Sequence, residues 1–407
     1  METVATVHFA KRLQTADGRG KMKENMINLC LFIWYRVAGA AFRLLPVKRN
    51  RVLFENFYGR GYGDNPRYIA EELRQMGGLL ELVWLVKNHT YTDIPPEMKQ
   101  VKRGTFEELY YIATSGIWVD NVRKHYGIRK RRNQFYIQTW HGGLGIKKAE
   151  GDVPEILSRS YIKSAVHDSR MTDLLISNSE WFTQFARRAF WYDGEILECG
   201  YPRSDVFFGG HREAYSGVRR EFDLQADVKI ALYAPTFREN GDTRVYMTDF
   251  NALCRMLERH WGGTWVALVR LHPNMARLRD RFANPDQALD ASGYGDMNRL
   301  IAACDLLITD YSSCMFDGMN AGKTVMLYAP DAEAYYRDRG VYFTIEETPF
   351  LLAENREDME HAFAVFDETA YRQKVAVFRQ RMGYRENGGA SKAVADRIME
   401  EAGLGGG

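Results

Sequence analysis

Three short stretches of the sequence combine residue types that could bind phosphate and move a proton. Residues 138–148 read QTWHGGLGIKK, residues 269–273 read VRLHP and residues 310–313 read DYSS. An imidazole titrates near physiological pH and can act as a general base. Arginine side chains, backbone N–H groups and hydroxyls hold anionic oxygens. The sequence therefore points to chemistry on a phosphorylated substrate.

The histidine stretch predicts a proton acceptor beside a backbone that a ligand can approach closely. His141 is followed by Gly142, Gly143, Leu144 and Gly145, and glycines leave room for such an approach. Two lysines, Lys147 and Lys148, would then favour an anionic ligand. The alternative is an ordinary glycine turn with a solvent-exposed histidine and surface lysines.

The stretches VRLHP and DYSS, together with the stretch APTFR at 234–238, predict polar groups at the carboxyl ends of strands. These ends share one edge of a parallel sheet. The candidates are Pro235, Thr236 and Arg238 on one strand, Arg270, Leu271 and His272 on another, and Ser312 and Ser313 where a helix begins after Asp310. The first turn of a helix offers free N–H groups to an anion. The alternatives are that Ser312 or Asp310 only caps the helix and that His272 is structural.

Composition excludes several classes of protein. The 407 residues include 55 basic and 53 acidic side chains, a net charge of +2, which gives no general attraction to nucleic acid. Five cysteines form no CxxC pair and no metal-ligand spacing with histidine, which is typical of a protein in a reducing cytoplasm. No carboxylate cluster near the motifs demands a metal, although Mg²⁺ is compatible with the sequence.

Two segments could bind a membrane: the apolar run that follows the basic N-terminus, and the basic run 122–132. The uncharged run 26–35 is ten residues long, whereas a span needs roughly 20, so the segment is predicted to be too short to cross. It could lie in the interface as an amphipathic helix or pack on the domain. The basic run 122–132 could be a solvated surface, or it could hold a polyanionic acceptor or anionic lipid.

The order of the elements predicts an α/β fold with two domains. Short apolar runs alternate with amphipathic helices, as in parallel sheets covered on both faces. We assign 1–46 to a basic N-terminus with an amphipathic helix, 47–205 to a first Rossmann-like domain and 206–400 to a second, with the last helix packing back on the first. The two sheets are expected to face each other across a cleft. The predicted strands are 51–56, 80–86, 117–120, 135–140, 174–179, 195–200, 229–235, 265–273, 306–310 and 324–329.

Several motifs, taken together and in their order along the chain, resemble those of a known family. ENFYGRGYGDNPRYIAEEL, YIQTWHGG with its trailing KK, LYAPTFRE and LITDYSSCMFD are similar to the CDP-glycerol glycerophosphotransferase family of bacterial wall teichoic acid and capsule synthesis. The resemblance runs from about residue 50 to 380. It implies a GT-B fold that holds the nucleotide mainly in the second domain. It also implies a peripheral position at the cytoplasmic face of the membrane, where the lipid-linked acceptor is.

The resemblance also implies roles for individual residues. His141 would be the catalytic base, with His272 the second catalytic residue. Nucleotide and phosphate contacts would come from Gly142, Gly143, Leu144, Gly145, Arg203, Pro235, Thr236, Arg270, Leu271, Ser312, Ser313 and Asp317. Two motifs depart from the family pattern: HGGLGIKK stands where many members have HGTPLKK, and RLHP where many have RMHY. Both departures fall where donor and acceptor groups would bind.

The expected reaction is transfer of a polyol phosphate, with glycerol phosphate as first choice, from a CDP-activated donor to a hydroxyl of a lipid-linked saccharide or polyol phosphate. CMP is the leaving group. Two alternatives stay open at this point: a GT-B glycosyltransferase that uses a nucleotide-sugar, and a non-catalytic scaffold of a polymer-assembly complex. The sequence is compatible with addition of one unit or of many.

Overall fold

The computed structural model describes residues 18–78, 80–88, 91–238, 243–247, 249–271, 275 and 288–405. The chain divides into two compact units. The first unit contains the chain up to Gly143, then Ala149–Arg203, then the segment from Arg385 onward. The second unit contains Leu144–Lys148 and Ser204–Tyr384.

The first unit is built on a seven-stranded parallel sheet. Its strand order is β3-β2-β1-β4-β5-β6-β7, which is a doubly wound arrangement. The strands are β1 Lys48–Glu55, β2 Glu81–Val86, β3 Lys99–Lys102, β4 Ser115–Asp120, β5 Phe135–Gln138, β6 Leu174–Ser177 and β7 Glu195–Glu198. The helices of this part of the chain are α1 Gly18–Arg36, α2 Asp64–Met76, α3 Phe106–Thr114, α4 Arg159–Met171 and α5 Glu180–Ala189, with 3₁₀ helices at Ala38–Leu44, Glu150–Asp152, Pro154–Ile156 and Pro202–Phe207.

The second unit repeats this plan with six strands in the order β10-β9-β8-β11-β12-β13. The strands are β8 Lys229–Tyr233, β9 Trp265–Val269, β10 Ala288–Asp290, β11 Leu306–Thr309, β12 Thr324–Tyr328 and β13 Leu351–Ala353. The helices are α6 His211–Glu221, α7 Phe250–Trp261, α8 Met297–Ala303, α9 Cys314–Asn320, α10 Ala332–Arg339, α11 Arg356–Ala364 and α12 Glu368–Met382, with a 3₁₀ helix at Ile345–Glu347. Helix α13, Ala390–Ala402, belongs to the first unit.

Alternating strand residues pack into separate cores, which shows that the first sheet is covered on both faces. Val52 and Phe54 of β1 lie in one hydrophobic cluster, whereas Leu53 lies in the other. Helix α13 contributes Val394 and Ile398 to the first of these clusters. The C-terminal helix therefore packs on the first unit, far along the chain from the strands that it covers.

The apolar runs that predict strands all become strands, but three short edge strands of the described chain are missed. Strands β3, β10 and β13 are three or four residues long and lie at sheet edges. The β3 sequence KQVK is mostly charged or polar, because an edge strand needs only one buried face. Several predicted strands also end early. Residues 135–140 form a strand only to Gln138, and the polar residues beyond it enter a loop.

The N-terminal helical segment exposes apolar side chains. Residues Asn25–Leu44 are long and apolar enough to cross a membrane by length and composition, and only 6% of that window is buried. The sequence predicts a segment too short for a span, because Arg36 interrupts its uncharged run. Its average hydropathy is nevertheless high enough for a span, although Arg36 and Arg43 lie within it. Helix α1 ends at Arg36, and a 3₁₀ helix follows from Ala38.

Candidate active site

Each sheet has one point at which the strand order reverses, and the candidate site residues follow the strands that meet there. In the first unit the reversal lies between β1 and β4, which lead into Asn56 and Asn121. In the second unit it lies between β8 and β11, which lead into the loop with Thr236 and into Asp310. Open α/β sheets bind ligands beyond the carboxyl ends of strands at such points.

His141 lies one strand farther along, after β5, and is held as a neutral imidazole. Its Nδ1 is 2.6 Å from the carbonyl oxygen of Asn121. A carbonyl only accepts hydrogen bonds, so Nδ1 carries the proton and the lone pair is on Nε2. The ring is 6% exposed and packs against Trp140 and, edge-on, Phe57. Burial lowers the pKa of His141 to about 3, so Nε2 can accept a proton at neutral pH.

Asn121 also fixes the surroundings of the imidazole through its side chain. Its Oδ1 accepts a hydrogen bond from the Phe57 N–H at 2.9 Å, and its Nδ2 donates to Asn56 Oδ1 at 2.8 Å. The same residue therefore sets both the acceptor of the His141 proton and the aromatic ring beside it. Asn56 and Asn121 are absent from the predicted site. Their position directly after apolar strands was the signal that could have identified them.

Arg203 holds the backbone of the histidine loop. Its Nη1 donates to the His141 carbonyl at 2.8 Å and to Asp64 Oδ2 at 2.9 Å. Asn65 connects the same parts, because its Oδ1 accepts from the Arg203 N–H and its Nδ2 donates to the Trp140 carbonyl. Trp140 has φ of 52°, a left-handed conformation that costs energy in a residue with a Cβ. The predicted role of Arg203 in binding the nucleotide stays a prediction.

The glycine corner is divided between the two units. Gly142 and Gly143 are half-buried and belong to the first unit. Leu144 is buried, Gly145 is half-buried, and both belong to the second unit. There the Tyr342 N–H donates to the carbonyl of residue 146 at 2.8 Å. Of the predicted contact residues, 142 and 143 therefore belong to the first unit and 144 and 145 to the second, and their role in binding stays a prediction.

At the second switch point, Asp310 joins the two central strands. Its carboxylate accepts hydrogen bonds from the Thr236 N–H and hydroxyl and from Arg238 Nη1 at 2.8 Å. Arg238 also pairs with Asp331 at 2.7 Å. Burial alone would lower the pKa of Arg238, but the two carboxylates outweigh it and raise the pKa. The charge of Arg238, expected to face phosphate, is instead neutralised by Asp310 and Asp331. Pro235 is buried between the strand and this cluster.

The remaining predicted residues of the second unit lie at the neighbouring strand ends. Arg270 Nη1 donates to the Ala291 carbonyl at 3.2 Å and also to the Tyr294 carbonyl, and burial lowers its pKa. The Leu271 N–H donates to Ser292 Oγ at 3.0 Å. Position 272, the predicted catalytic His272, lies outside the described residues.

The serine motif forms the start of a short helix. Ser312 Oγ accepts a hydrogen bond from the Cys314 N–H at 3.4 Å, and Ser313 is the N-cap of α9 without a side-chain capping bond. Asp317 is buried in the first turn of that helix. Helix α9 has seven residues, and Gly318 lies within it rather than at its end. Asp310 does not cap the helix, because its carboxylate is used by Thr236 and Arg238.

The basic run before β5 is partly internal. Arg123 pairs with Glu150 at 2.7 Å and with Asp168 at 3.2 Å. Lys124 pairs with Asp120 at 2.6 Å and with Glu55 at 3.2 Å. Arg123 and Lys124 are each 5% exposed, so these two cations stabilise the first unit and do not face a polyanion. Arg129 and Arg132 are exposed.

Comparison with known proteins gives one consistent family. The model of the family CDP-glycerol:poly(glycerophosphate) glycerophosphotransferase matches residues 38–400. The chain is 30% identical to a teichoic acid glycerol-phosphate transferase of Staphylococcus aureus, covering 88% of this chain and 94% of the relative. It is also 30% identical to a teichoic acid poly(glycerol phosphate) polymerase of Staphylococcus epidermidis, covering 87% of this chain but only 51% of that polymerase. The chain thus spans about half the length of that relative.

Comparison with solved structures gives the same family as the sequence comparisons. Two structures of the wall teichoic acid polymerase TagF, both of a variant in which asparagine replaces one histidine, match with TM-scores of 0.80 and 0.79 at 27% identity. They cover 95% of this chain and 99% of each solved chain, and one of them was soaked with CDPG. The predicted α/β, GT-B-like fold class is confirmed. With a family match over most of its length and two Rossmann-like units, the chain belongs to the CDP-glycerol:poly(glycerophosphate) glycerophosphotransferase family.

Proposed function

We propose that this protein transfers glycerol phosphate from CDP-glycerol to a hydroxyl of a lipid-linked acceptor in teichoic-acid-like or capsule polymer synthesis. The observation that carries the proposal is the neutral, Nδ1-protonated imidazole of His141, whose ring is held by the Asn121 carbonyl at the first switch point, in a chain of this family. The relatives named as glycerol-phosphate transferases and polymerases support glycerol phosphate as the transferred group.

In this proposal the acceptor hydroxyl attacks the distal phosphorus of the donor, the one that carries glycerol. A new P–O bond forms, the bond from that phosphorus to the bridging oxygen breaks, and CMP leaves with the electron pair. The hydroxyl proton passes to His141 Nε2. The protein contributes position and charge stabilisation, because phosphoryl transfer needs little covalent help.

We further propose that the second unit holds the donor at its switch point. Thr236, Ser312, Ser313 and the backbone around them supply hydroxyl and N–H donors, and Arg270 supplies positive charge. Because Arg238 is neutralised by two carboxylates, Arg270 and His272 become the main candidates for binding the diphosphate. We propose that no protein-bound metal is required. Among the described residues, no group of three or more His, Cys, Asp or Glu could hold one. Mg²⁺ bound by the donor phosphates is compatible with this scheme.

The experiment that tests the function is a donor screen. The full chain is incubated with membranes that carry lipid-linked acceptor and with CDP-glycerol, CDP-ribitol or UDP-sugars, with and without EDTA, and CMP and UDP are measured. We expect CMP from CDP-glycerol in both conditions. UDP release would favour the glycosyltransferase alternative, and no nucleotide release from any donor would favour the scaffold.

The expected pH dependence follows from the low pKa of His141. The general base must be neutral, and a pKa of about 3 keeps it neutral throughout the range in which the protein is assayed. We therefore expect kcat/KM for CMP release to stay level from neutral pH down to about pH 5, because kcat/KM reports the free enzyme. The anionic donor should raise the imidazole pKa, so kcat falls at a higher pH than kcat/KM. Loss of kcat/KM with a pKa near 6.5 would contradict the assignment.

We propose that the protein binds the membrane peripherally through its N-terminal helical segment. Met26, Leu29 and Ile33 of α1 are about half exposed, and Leu44 is 90% exposed. Basic residues are tied to this segment, because Arg131 Nη1 donates to the Leu45 carbonyl at 2.6 Å. An exposed apolar helix beside cations is typical of interfacial binding to anionic lipid.

The membrane proposal predicts a loss of vesicle binding when negative charge is introduced among the exposed apolar side chains of α1. Replacing Leu29 and Ile33 with glutamate should lower co-sedimentation with phosphatidylglycerol vesicles by at least about tenfold, since each buried apolar side chain contributes roughly 1.5–3 kcal/mol. Phe208→Glu, at an exposed position of the second unit, serves as the control. Retention of the double variant on vesicles, or retention of wild type after carbonate extraction, would contradict peripheral binding through α1.

A further inference from the structure

We propose that Glu386 is a positioning residue for the loop that carries His141. It acts through Asn178 and Tyr201, and these three residues are called the brace below. The proposal rests on the proposed function only where catalytic rate is the readout, since the brace itself is a property of the first unit. Glu386 comes from the segment that returns to the first unit more than 200 residues after Asn178.

The backbone from His141 to Gly143 is contacted at each residue by a side chain. Arg203 donates to the His141 carbonyl at 2.8 Å, and Tyr201 Oη donates to the Gly142 carbonyl at 3.4 Å. The Asn178 amide lies against Gly143 so closely that a Cβ on residue 143 would be 2.2 Å from Asn178 Oδ1. The position of this loop therefore depends on where the Asn178 and Tyr201 side chains are held.

Glu386 contacts both residues with one carboxylate, Asn178 through its side chain and Tyr201 through its main chain. Its Oε1 accepts a hydrogen bond from Asn178 Nδ2 at 3.1 Å, and its Oε2 accepts from the Tyr201 N–H at 3.1 Å. Glu386 is only 7% exposed. Burial of a carboxylate is costly unless hydrogen bonds compensate, so the two bonds fix the side chain as well as its partners.

Two glycines leave the space that the brace needs. Gly200 has φ of +90°, and a Cβ there would be 2.8 Å from Glu386 Oε2. Gly143 leaves the corresponding space for the Asn178 amide. Gly143 stands where many members of the family have the threonine of HGTPLKK. In this chain a side chain at position 143 and the Asn178 amide would occupy the same volume, so the brace accounts for the glycine.

Substitutions at Glu386 test the positioning role. Glu386→Gln keeps one of the two acceptors and Glu386→Ala removes both, so we expect graded losses of kcat, up to about 100-fold for alanine, as for a misplaced catalytic group. KM for CDP-glycerol should change less than about threefold, because the proposed donor contacts lie in the second unit. The second readout needs no substrate: labelling of His141 by diethylpyrocarbonate, followed by mass spectrometry, should become faster as the loop opens.

A double-mutant cycle tests the contact at Gly143. Gly143→Ala should lower kcat strongly, because its Cβ collides with the Asn178 amide. In an Asn178→Ala background the collision is gone, so the Gly143→Ala change should have little further effect. Such non-additivity is expected for residues that are in contact or otherwise coupled, and not for distant, independent ones. Additive losses in the cycle would overturn the proposed contact.

The matched control is Glu180→Gln, which removes an exposed ion pair between Glu180 and Arg385, the neighbour of Glu386. It should leave kcat and His141 labelling unchanged. The effects of the Glu386 variants would then not come from weaker attachment of the C-terminal segment in general. Wild-type kcat and wild-type labelling in Glu386→Ala would overturn the proposal. If wild type releases no CMP from any CDP-polyol, the proposed function fails, while the labelling rates still decide for or against the brace.

Discussion

Replacing His141 with asparagine is expected to lower the rate of CMP release from CDP-glycerol by about 10²–10⁴-fold, the contribution of a positioned general base. Asparagine can still donate to the Asn121 carbonyl, but its amide cannot accept a proton at neutral pH. Donor binding should be retained, because we propose that the donor is held by the second unit and that His141 acts only on the acceptor hydroxyl. Steady-state rates and calorimetric donor binding measure the two effects separately.

A second histidine provides the control for this change. His361 is exposed on α11, and His361→Asn should release CMP at the wild-type rate. Release of CMP by His141→Asn at more than about a tenth of the wild-type rate would contradict the assignment of His141 as the base.

Replacing Asp310 with alanine is expected to lower the free energy of unfolding by about 3 kcal/mol, because it leaves a buried guanidinium without one of its two carboxylates. The Thr236 N–H and hydroxyl also lose their acceptor. The loop that carries Thr236 should then loosen, so donor binding weakens together with stability. Denaturation followed by circular dichroism gives the stability change, and calorimetry gives the donor affinity.

The matched variants for this prediction separate charge from burial. Asp310→Asn keeps an acceptor oxygen and should cost less than Asp310→Ala. Asp227, which is exposed in the same unit, should tolerate asparagine without measurable loss. An Asp310→Ala protein as stable as wild type would show that Arg238 finds full compensation in Asp331 alone.

The main features of the fold could be predicted because the central strands are nearly all apolar. LLIT is buried along its whole length and KIALY at every residue after the first, so their composition alone identifies them. The strand at Lys99–Lys102 could not be found in this way. Its sequence is typical of a surface, and pairing with β2 alone makes it a strand. Edge strands depend on their neighbours more than on their own residues.

The site was predictable in its residue types but not in its electrostatics. His141 stands out because an imidazole among glycines is unusual, but the acceptor of its proton is a main-chain carbonyl, which every residue has. Arg123 appears in a basic run that resembles a surface. Its partners Glu150 and Asp168 are distant in sequence, so its burial depends on tertiary packing. The same holds for Arg238, whose second partner, Asp331, lies 93 residues away.

In the proposed reaction, phosphorus and not a sugar carbon is the centre attacked. The most direct measurement is the mass and linkage of the lipid-linked acceptor after incubation with CDP-glycerol and the full chain, with His141→Asn in parallel. We expect an acceptor longer by whole glycerol phosphate units in phosphodiester linkage, formed in step with CMP and absent with the variant. An unextended acceptor, or one extended by a sugar from a UDP-sugar, would contradict it.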